Sequence, residues 1–156
     1  MVDRRDVASW LQGPGAQRPE TDEDHPGRRL GMPRSGPGSI ASFGRRLAAV
    51  FLDWTMCQVL AFGLFRVPFG EAGPGSWVPL GLFALENVLL VGTIGSTFGQ
   101  RVLGMRLISM SGGRAAPPQV LIRTFLLCLA VPALIWDRDG RGLHDKGAGT
   151  VLVRLS

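Results

Sequence analysis

The sequence predicts an all-α membrane protein, and two observations lead to that prediction. Of the 156 residues, 46% are apolar and only 19% are charged, whereas a water-soluble domain usually carries about 25% charged residues. Two apolar runs, residues 47–65 and 77–94, contain one charged residue each, and each is long enough to cross a bilayer as a helix. We therefore expect two transmembrane helices in an antiparallel hairpin, a third short transmembrane or re-entrant helix, a small cytoplasmic β-ribbon and a disordered N-terminal arm.

Residues 1–42 form the predicted arm. They contain six acidic and six basic residues among many Gly and Pro residues, with almost no apolar run to bury, a composition typical of disorder. Within the arm, Val7, Trp10 and Leu11 follow the i, i+3, i+4 spacing of one helix face. This segment is either a helix that docks on a partner or a transient turn in a flexible tail.

The predicted membrane domain spans residues 43–154. Its first two helices cover about 46–65 and 77–95, and the link between them is short and rich in Gly and Pro, which favours a hairpin. A third apolar run, residues 124–136, has 13 residues and is interrupted by Pro132. We expect a helix at about 121–136 that is too short for a clean crossing.

The basic residues predict the topology. Residues 1–46 carry eight of them, the link between the two spans carries only Arg66, and the segment from residue 101 to 123 carries four. The positive-inside rule then places the N-terminus and the second loop in the cytoplasm of a multi-pass plasma-membrane protein. The β-prone segments 106–110 and 150–154 could pair as a ribbon if both lie on that side, which favours two spans plus a re-entrant or surface-lying third helix.

The net charge of +5 has a second interpretation in soluble proteins, which is nucleic-acid binding. Here the excess lies entirely after residue 42, beside the apolar runs, where it fits loops that face anionic lipid. We expect the lipid bilayer as a partner and no nucleic acid.

Ionisable residues inside apolar runs are the informative ones, because each is costly to bury in a membrane unless it is paired or hydrated. Asp53 and Glu86 fall at comparable depth in an antiparallel hairpin, within about 5 Å. Two carboxylates there must share a proton, bind an ion or be neutralised by arginine. The pair is therefore either a cation or proton site, or part of a structural cluster in which Arg46 and Arg123 satisfy the acids.

Other motifs exclude several chemistries. The glycine-rich stretch at residues 95–106 follows a membrane helix and has no Lys, so it is not a nucleotide-binding loop. His144 and Asp145 are adjacent, but the only other histidine is His25 in the arm, and no metal-ligand spacing results. We expect no enzymatic activity, no cofactor and no metal.

Four motifs in succession resemble the RDD family of small prokaryotic integral membrane proteins. They are RRLAAVFLDW, the span containing Glu86, GSTFGQRVLGMRLI with the later Arg123, and GLHDKGAGTVLV. The resemblance implies that the family Arg is Arg46, with Arg45 as the other candidate, and that the two family Asp are Asp53 and Asp145. It also implies a loop motif of Thr97, Gly99 and Gly104, although Gln100 stands where the family often has Lys.

The resemblance leaves two kinds of function open. One is cation or proton transport by a homo-oligomer, with Asp53, Glu86 and Arg123 as an intramembrane polar cluster and monovalent cations or protons as ligands. The other is a non-catalytic adaptor or scaffold that recruits a membrane-protein partner through its arm and its basic cytoplasmic face.

Overall fold

A computed structural model of the chain describes residues 25–129, 135 and 141–156. Five α-helices and two strands of the described residues are named in chain order below. The helices are α1 (Phe43–Phe65), α2 (Trp77–Glu86), α3 (Phe98–Val102), α4 (Pro117–Cys128) and α5 (Leu143–Gly147), and the strands are β1 (Met105–Ser109) and β2 (Thr150–Arg154).

Two helical segments in the described part of the chain are long and apolar enough to cross a membrane. They are Phe43–Phe65 and Pro74–Val91, with mean hydropathies of 1.7 and 1.3, and at 1.5 Å per residue the first is about 35 Å long. Large apolar side chains on both are exposed, for example Leu64 at 71% and Trp77 at 70%. Because exposed apolar surface of this extent is unfavourable in water, these faces fit a hydrocarbon environment.

The second of these segments changes its helical geometry partway along. It begins with a 3-10 turn at Pro74–Ser76, continues as α2, and then widens into a π-helical turn at Asn87–Val91. Asn87 donates its side-chain N–H to the Phe83 carbonyl at 2.9 Å, one turn back. Local π turns within α-helices are frequent at functional sites.

The predicted third helix, at about 121–136, corresponds to α4, which begins earlier, at Pro117. α4 begins at Pro117, where a missing N–H costs nothing because the first helical N–H groups have no partner. Its buried positions, Val120, Arg123, Thr124 and Leu127, recur on one face, and it packs on α2 and α5. The predicted continuation through Pro132 falls on residues outside the described part.

The two strands form the antiparallel ribbon that the sequence predicts. Met105 is opposite Arg154 and Ser109 is opposite Thr150. Met105, Leu107 and Leu152 are almost fully buried and pack with Ala49 of α1 and Val120 of α4. The ribbon therefore closes one end of the helices.

The segment just before α1 differs from the predicted arm, which ran to residue 42. Ala41 donates its N–H to Leu152 at 3.0 Å, Arg154 donates to Ser39 at 2.9 Å, and Ile40 forms a bridge with Val153. Ser39 and Ala41 are each only 2% exposed. Residues 38–41 thus lie along β2 as part of the folded domain, because the edge of the strand offers unpaired backbone groups.

α3 packs directly against α1, and Gly99 permits the close approach. A Cβ atom on Gly99 would collide with the Ala49 carbonyl and would lie 2.9 Å from the Asp53 carboxylate. Thr97 caps this helix, since its hydroxyl accepts the Gln100 N–H while its own N–H donates to the Gln100 side chain. Glycine is needed at position 99 because a side chain there would overlap α1.

We predict that Gly99→Ala lowers the midpoint of thermal unfolding in detergent, by an amount equivalent to about 1–3 kcal/mol, the usual cost of overpacking. The matched control is Gly44→Ala, because a Cβ at that exposed position of α1 meets nothing within 4 Å. Gly44→Ala should be neutral or slightly stabilising. Equal midpoints for the two variants would contradict this account of α3 packing.

Candidate functional site

A carboxylate shared by two arginines lies at the junction of the helices and the ribbon. Asp145 of α5 accepts a hydrogen bond from Arg123 Nε at 2.8 Å and from Arg46 Nη1 at 3.1 Å. The three residues are 1%, 2% and 5% exposed, respectively. Three helices are therefore joined by buried ion pairs.

The two guanidinium groups extend this network to other elements. Arg46 also donates to the Ala41 carbonyl at 2.9 Å and to the Leu152 carbonyl at 3.2 Å. Arg123 donates to Asn87 Oδ1 at 3.3 Å. The network thus connects α1 to β2 and to the segment before α1, and it connects α4 to the π turn after α2.

Asp145 is ionised at neutral pH. Burial alone would raise its pKa, but the charges of Arg123, of His144 when its ring is protonated, and of Arg46 together hold the pKa below the usual value of 3.8. His144 Nε2 lies 3.6 Å from the carboxylate. The buried negative charge is stabilised by this basic surrounding.

Two further carboxyl groups meet at the first turn of α3. Asp53 accepts hydrogen bonds from the Thr97 hydroxyl at 2.6 Å and the Gly99 N–H at 2.5 Å. Glu86 accepts the Phe98 N–H at 3.1 Å. Both apolar segments therefore contribute an acid to one place.

Cys57 contributes a further contact to this pair. Its Sγ atom lies 3.5 Å from Glu86 Oε2 and donates to it. Cys57 also packs with Phe83 and Leu127 in a small apolar cluster. One side of the acid pair is therefore apolar, apart from the thiol.

The structure divides the polar cluster that the sequence analysis grouped as Asp53, Glu86 and Arg123. Asp53 and Glu86 both accept hydrogen bonds from the start of α3. In the described part of the chain, however, Arg123 forms its ion pair with Asp145 rather than with either of them. Arg123 therefore pairs with a buried carboxylate that also accepts a hydrogen bond from Arg46.

The family residues occupy distinct places in these two groups. Arg46 is buried on Asp145, while its neighbour Arg45 is only half-buried, so Arg46 fits the family arginine better. Asp145 and Asp53 lie in separate clusters. Thr97 and Gly99 bind Asp53 directly, whereas Gly104 adopts φ +65° just before β1 and accepts the Leu155 N–H at 2.7 Å.

Sequence reasoning missed Asn87 and the role of the α3 backbone. Asn87 is fully buried and holds Arg123, and the available signal was a second polar residue beside Glu86 in an apolar run. Val7, Trp10 and Leu11, the predicted docking residues, lie outside the described part of the chain. Among the described residues, no group of three or more His, Cys, Asp and Glu is placed to hold a metal ion.

Two exposed apolar helical segments, each with one acidic side chain, are long and apolar enough to cross a membrane, which is typical of a helical membrane protein. The sequence model of the RDD family matches residues 40–149, more than half of the chain, so the chain belongs to the RDD family. This confirms the resemblance found in the motifs. No curated protein and no solved structure matches the chain.

We predict that Asp145→Asn destabilises the protein by about 3–5 kcal/mol, because it leaves two buried guanidinium groups without their shared carboxylate. The measurement is the thermal unfolding midpoint in detergent. The control is Glu71→Gln, which neutralises an exposed acid in the link between the apolar segments and should change the midpoint little.

The pH dependence of the unfolding midpoint tests whether Asp145 is ionised in the folded protein. Its pKa is lowered by folding, so the stabilisation is present above the unfolded value of 3.8 and is lost only as the pH falls below it. The difference in midpoint between wild type and Asp145→Asn should therefore not shrink between about pH 8 and pH 5. A difference that disappears by about pH 6 would rule out an ionised, arginine-bound Asp145.

Proposed function

We propose that this RDD protein carries protons or monovalent cations across the plasma membrane as a homo-oligomer, with Asp53 and Glu86 as the exchangeable site. One observation supports the proposal above the others. Two carboxyl groups from the two apolar segments meet, and among the described residues no arginine, lysine or histidine lies within ion-pair distance of either one.

The groups that contact the pair are neutral donors. They are the Thr97 hydroxyl, the Cys57 thiol and two backbone N–H groups. Such donors orient the oxygen atoms but cannot neutralise two charges in a low-dielectric site. Two carboxyl groups surrounded by neutral donors favour a proton or a bound cation as the neutralising species. Transport requires at least a site that binds and releases such a species.

The proposal includes an oligomer for a geometric reason. The described part of the chain contains two segments that are long and apolar enough to cross a membrane and the shorter α4, and these are too few to enclose a pathway within one copy. We therefore place the pathway between copies, with the N-terminus in the cytoplasm as the distribution of basic residues indicates. No chemical conversion of a substrate is part of the proposal.

Purified protein in liposomes that contain a pH-sensitive dye tests the transport proposal. We predict that a Na⁺ or K⁺ gradient drives dissipation of a pH gradient in wild-type liposomes. Asp53→Asn and Glu86→Gln should reduce the rate to that of protein-free liposomes, because a neutral amide cannot exchange a proton or bind a cation by charge. Glu71→Gln, which changes an acid in the exposed link, should retain the wild-type rate.

Two results would reject the proposal. The first is a wild-type rate equal to that of protein-free liposomes for every cation used. The second is wild-type transport by both neutral variants, with size-exclusion profiles showing that they remain folded.

The adaptor hypothesis remains a prediction that depends on Val7, Trp10 and Leu11. Deletion of residues 1–24 separates the two hypotheses, since the carboxyl pair lies far from that segment in sequence. Unchanged transport after the deletion is expected if the membrane domain carries the function. Loss of a crosslinked membrane partner without any transport activity would favour the adaptor.

A further inference from the structure

A cavity of about 360 Å³ lies between α1, α2, α4 and α5. Cavities of this size are within the range that holds small organic ligands. Most of its wall is apolar, and the side chains that form this part include Leu47, Val50, Trp54, Leu80, Phe83 and Leu127. Trp54 and Phe83 meet edge to face at one side of it, with ring centres 5.9 Å apart.

The opposite end of the cavity is polar and basic. Arg46, Arg123, His144 and Asp145 line it, and each is less than a tenth exposed. The charged residues are held in place by the hydrogen bonds of the Asp145 network. This end is therefore a rigid, buried group of charges rather than a set of flexible surface side chains.

Arg123 retains capacity to bind an anion. Its Nε bonds to Asp145 and its Nη1 bonds to Asn87, whereas no described residue accepts a hydrogen bond from Nη2. A guanidinium group carries two N–H donors on that nitrogen. Because Asp145 is divided between two arginines, it does not offer Arg123 a full counter-charge.

The charged and apolar ends of the cavity follow each other along α1 in the same order as the head groups and acyl chains of one membrane leaflet. Arg46 lies in the first turn of α1, and Trp54 lies eight residues further along, about 12 Å deeper at 1.5 Å per residue. The basic end is thus at the head-group end of the span, and the apolar wall extends into the hydrocarbon region. An acyl chain with an anionic head matches both ends at once.

We propose that this cavity binds one acyl chain of an anionic membrane amphiphile, with the anionic head on Arg123. Both a fatty acid and an anionic phospholipid present this chemistry. Asp53 and Glu86 do not line the cavity, so the site is separate from the proposed transport site. The two proposals can fail independently.

Trp54 provides a direct reporter for the test. The remaining tryptophans, Trp10, Trp77 and Trp136, are replaced by Phe, and the protein is placed in nanodiscs of neutral phosphatidylcholine. Three probes with bromine on the acyl chain are added in separate arms: a fatty acid, a phosphatidylglycerol and a phosphatidylcholine. Quenching of Trp54 fluorescence is measured against probe concentration.

Two substitutions on α1 separate the cavity from the general lipid surface. Val50→Phe fills the cavity with a larger side chain. Val59→Phe is the matched control, because Val59 lies on the same helix, is 54% exposed and does not line the cavity. Both changes add the same apolar group, and neither alters the charged network.

We expect at least one anionic probe to quench Trp54 at about one-tenth of the concentration that the neutral probe requires, the factor that one charge-assisted hydrogen bond supplies. Val50→Phe should remove this preference and Val59→Phe should keep it. The anionic probe that shows the preference identifies the source of the chain. Equal quenching by neutral and anionic probes, or a preference that survives Val50→Phe, would overturn the proposal.

Discussion

The buried carboxylate of Asp145 is the contact on which the rest of the domain depends. Its hydrogen bonds to Arg46 and Arg123 bring α1, α4 and α5 together at one point. Through the same arginines, the network reaches Ala41 and Leu152 at the ribbon and Asn87 after α2. A buried charge is stable only while its partners remain in place, so these elements are constrained to keep one arrangement.

This network also determines which groups bind the acids of the two apolar segments. Arg123 is held by Asp145 and Asn87, so Asp53 and Glu86 are bound by neutral groups of α3 and by Cys57. Charge pairing therefore joins the elements around Asp145, whereas the carboxyl groups of Asp53 and Glu86 have no cationic partner within ion-pair distance among the described residues. The family arginine and its two aspartates are divided between these two clusters.

Much of the fold could be predicted from local sequence, because apolar run length and β-propensity are local properties. The two apolar helices and the ribbon follow from residues 47–65, 77–94, 106–110 and 150–154. The partner of Arg46 could not be predicted in the same way, because Asp145 is 99 residues away in sequence. Nor could the pairing of residues 38–41 with β2, since they follow a Gly- and Pro-rich sequence that resembles disorder and the ladder depends on a distant strand.

A double-mutant cycle on Arg123 and Asp145 tests the central claim most directly. The unfolding free energies of wild type, Arg123→Leu, Asp145→Leu and the double variant would be measured in one detergent. If the two side chains form a buried ion pair, the cycle gives a coupling energy of about 1–3 kcal/mol. Additive effects of the two single substitutions, with a coupling energy near zero, would contradict the account.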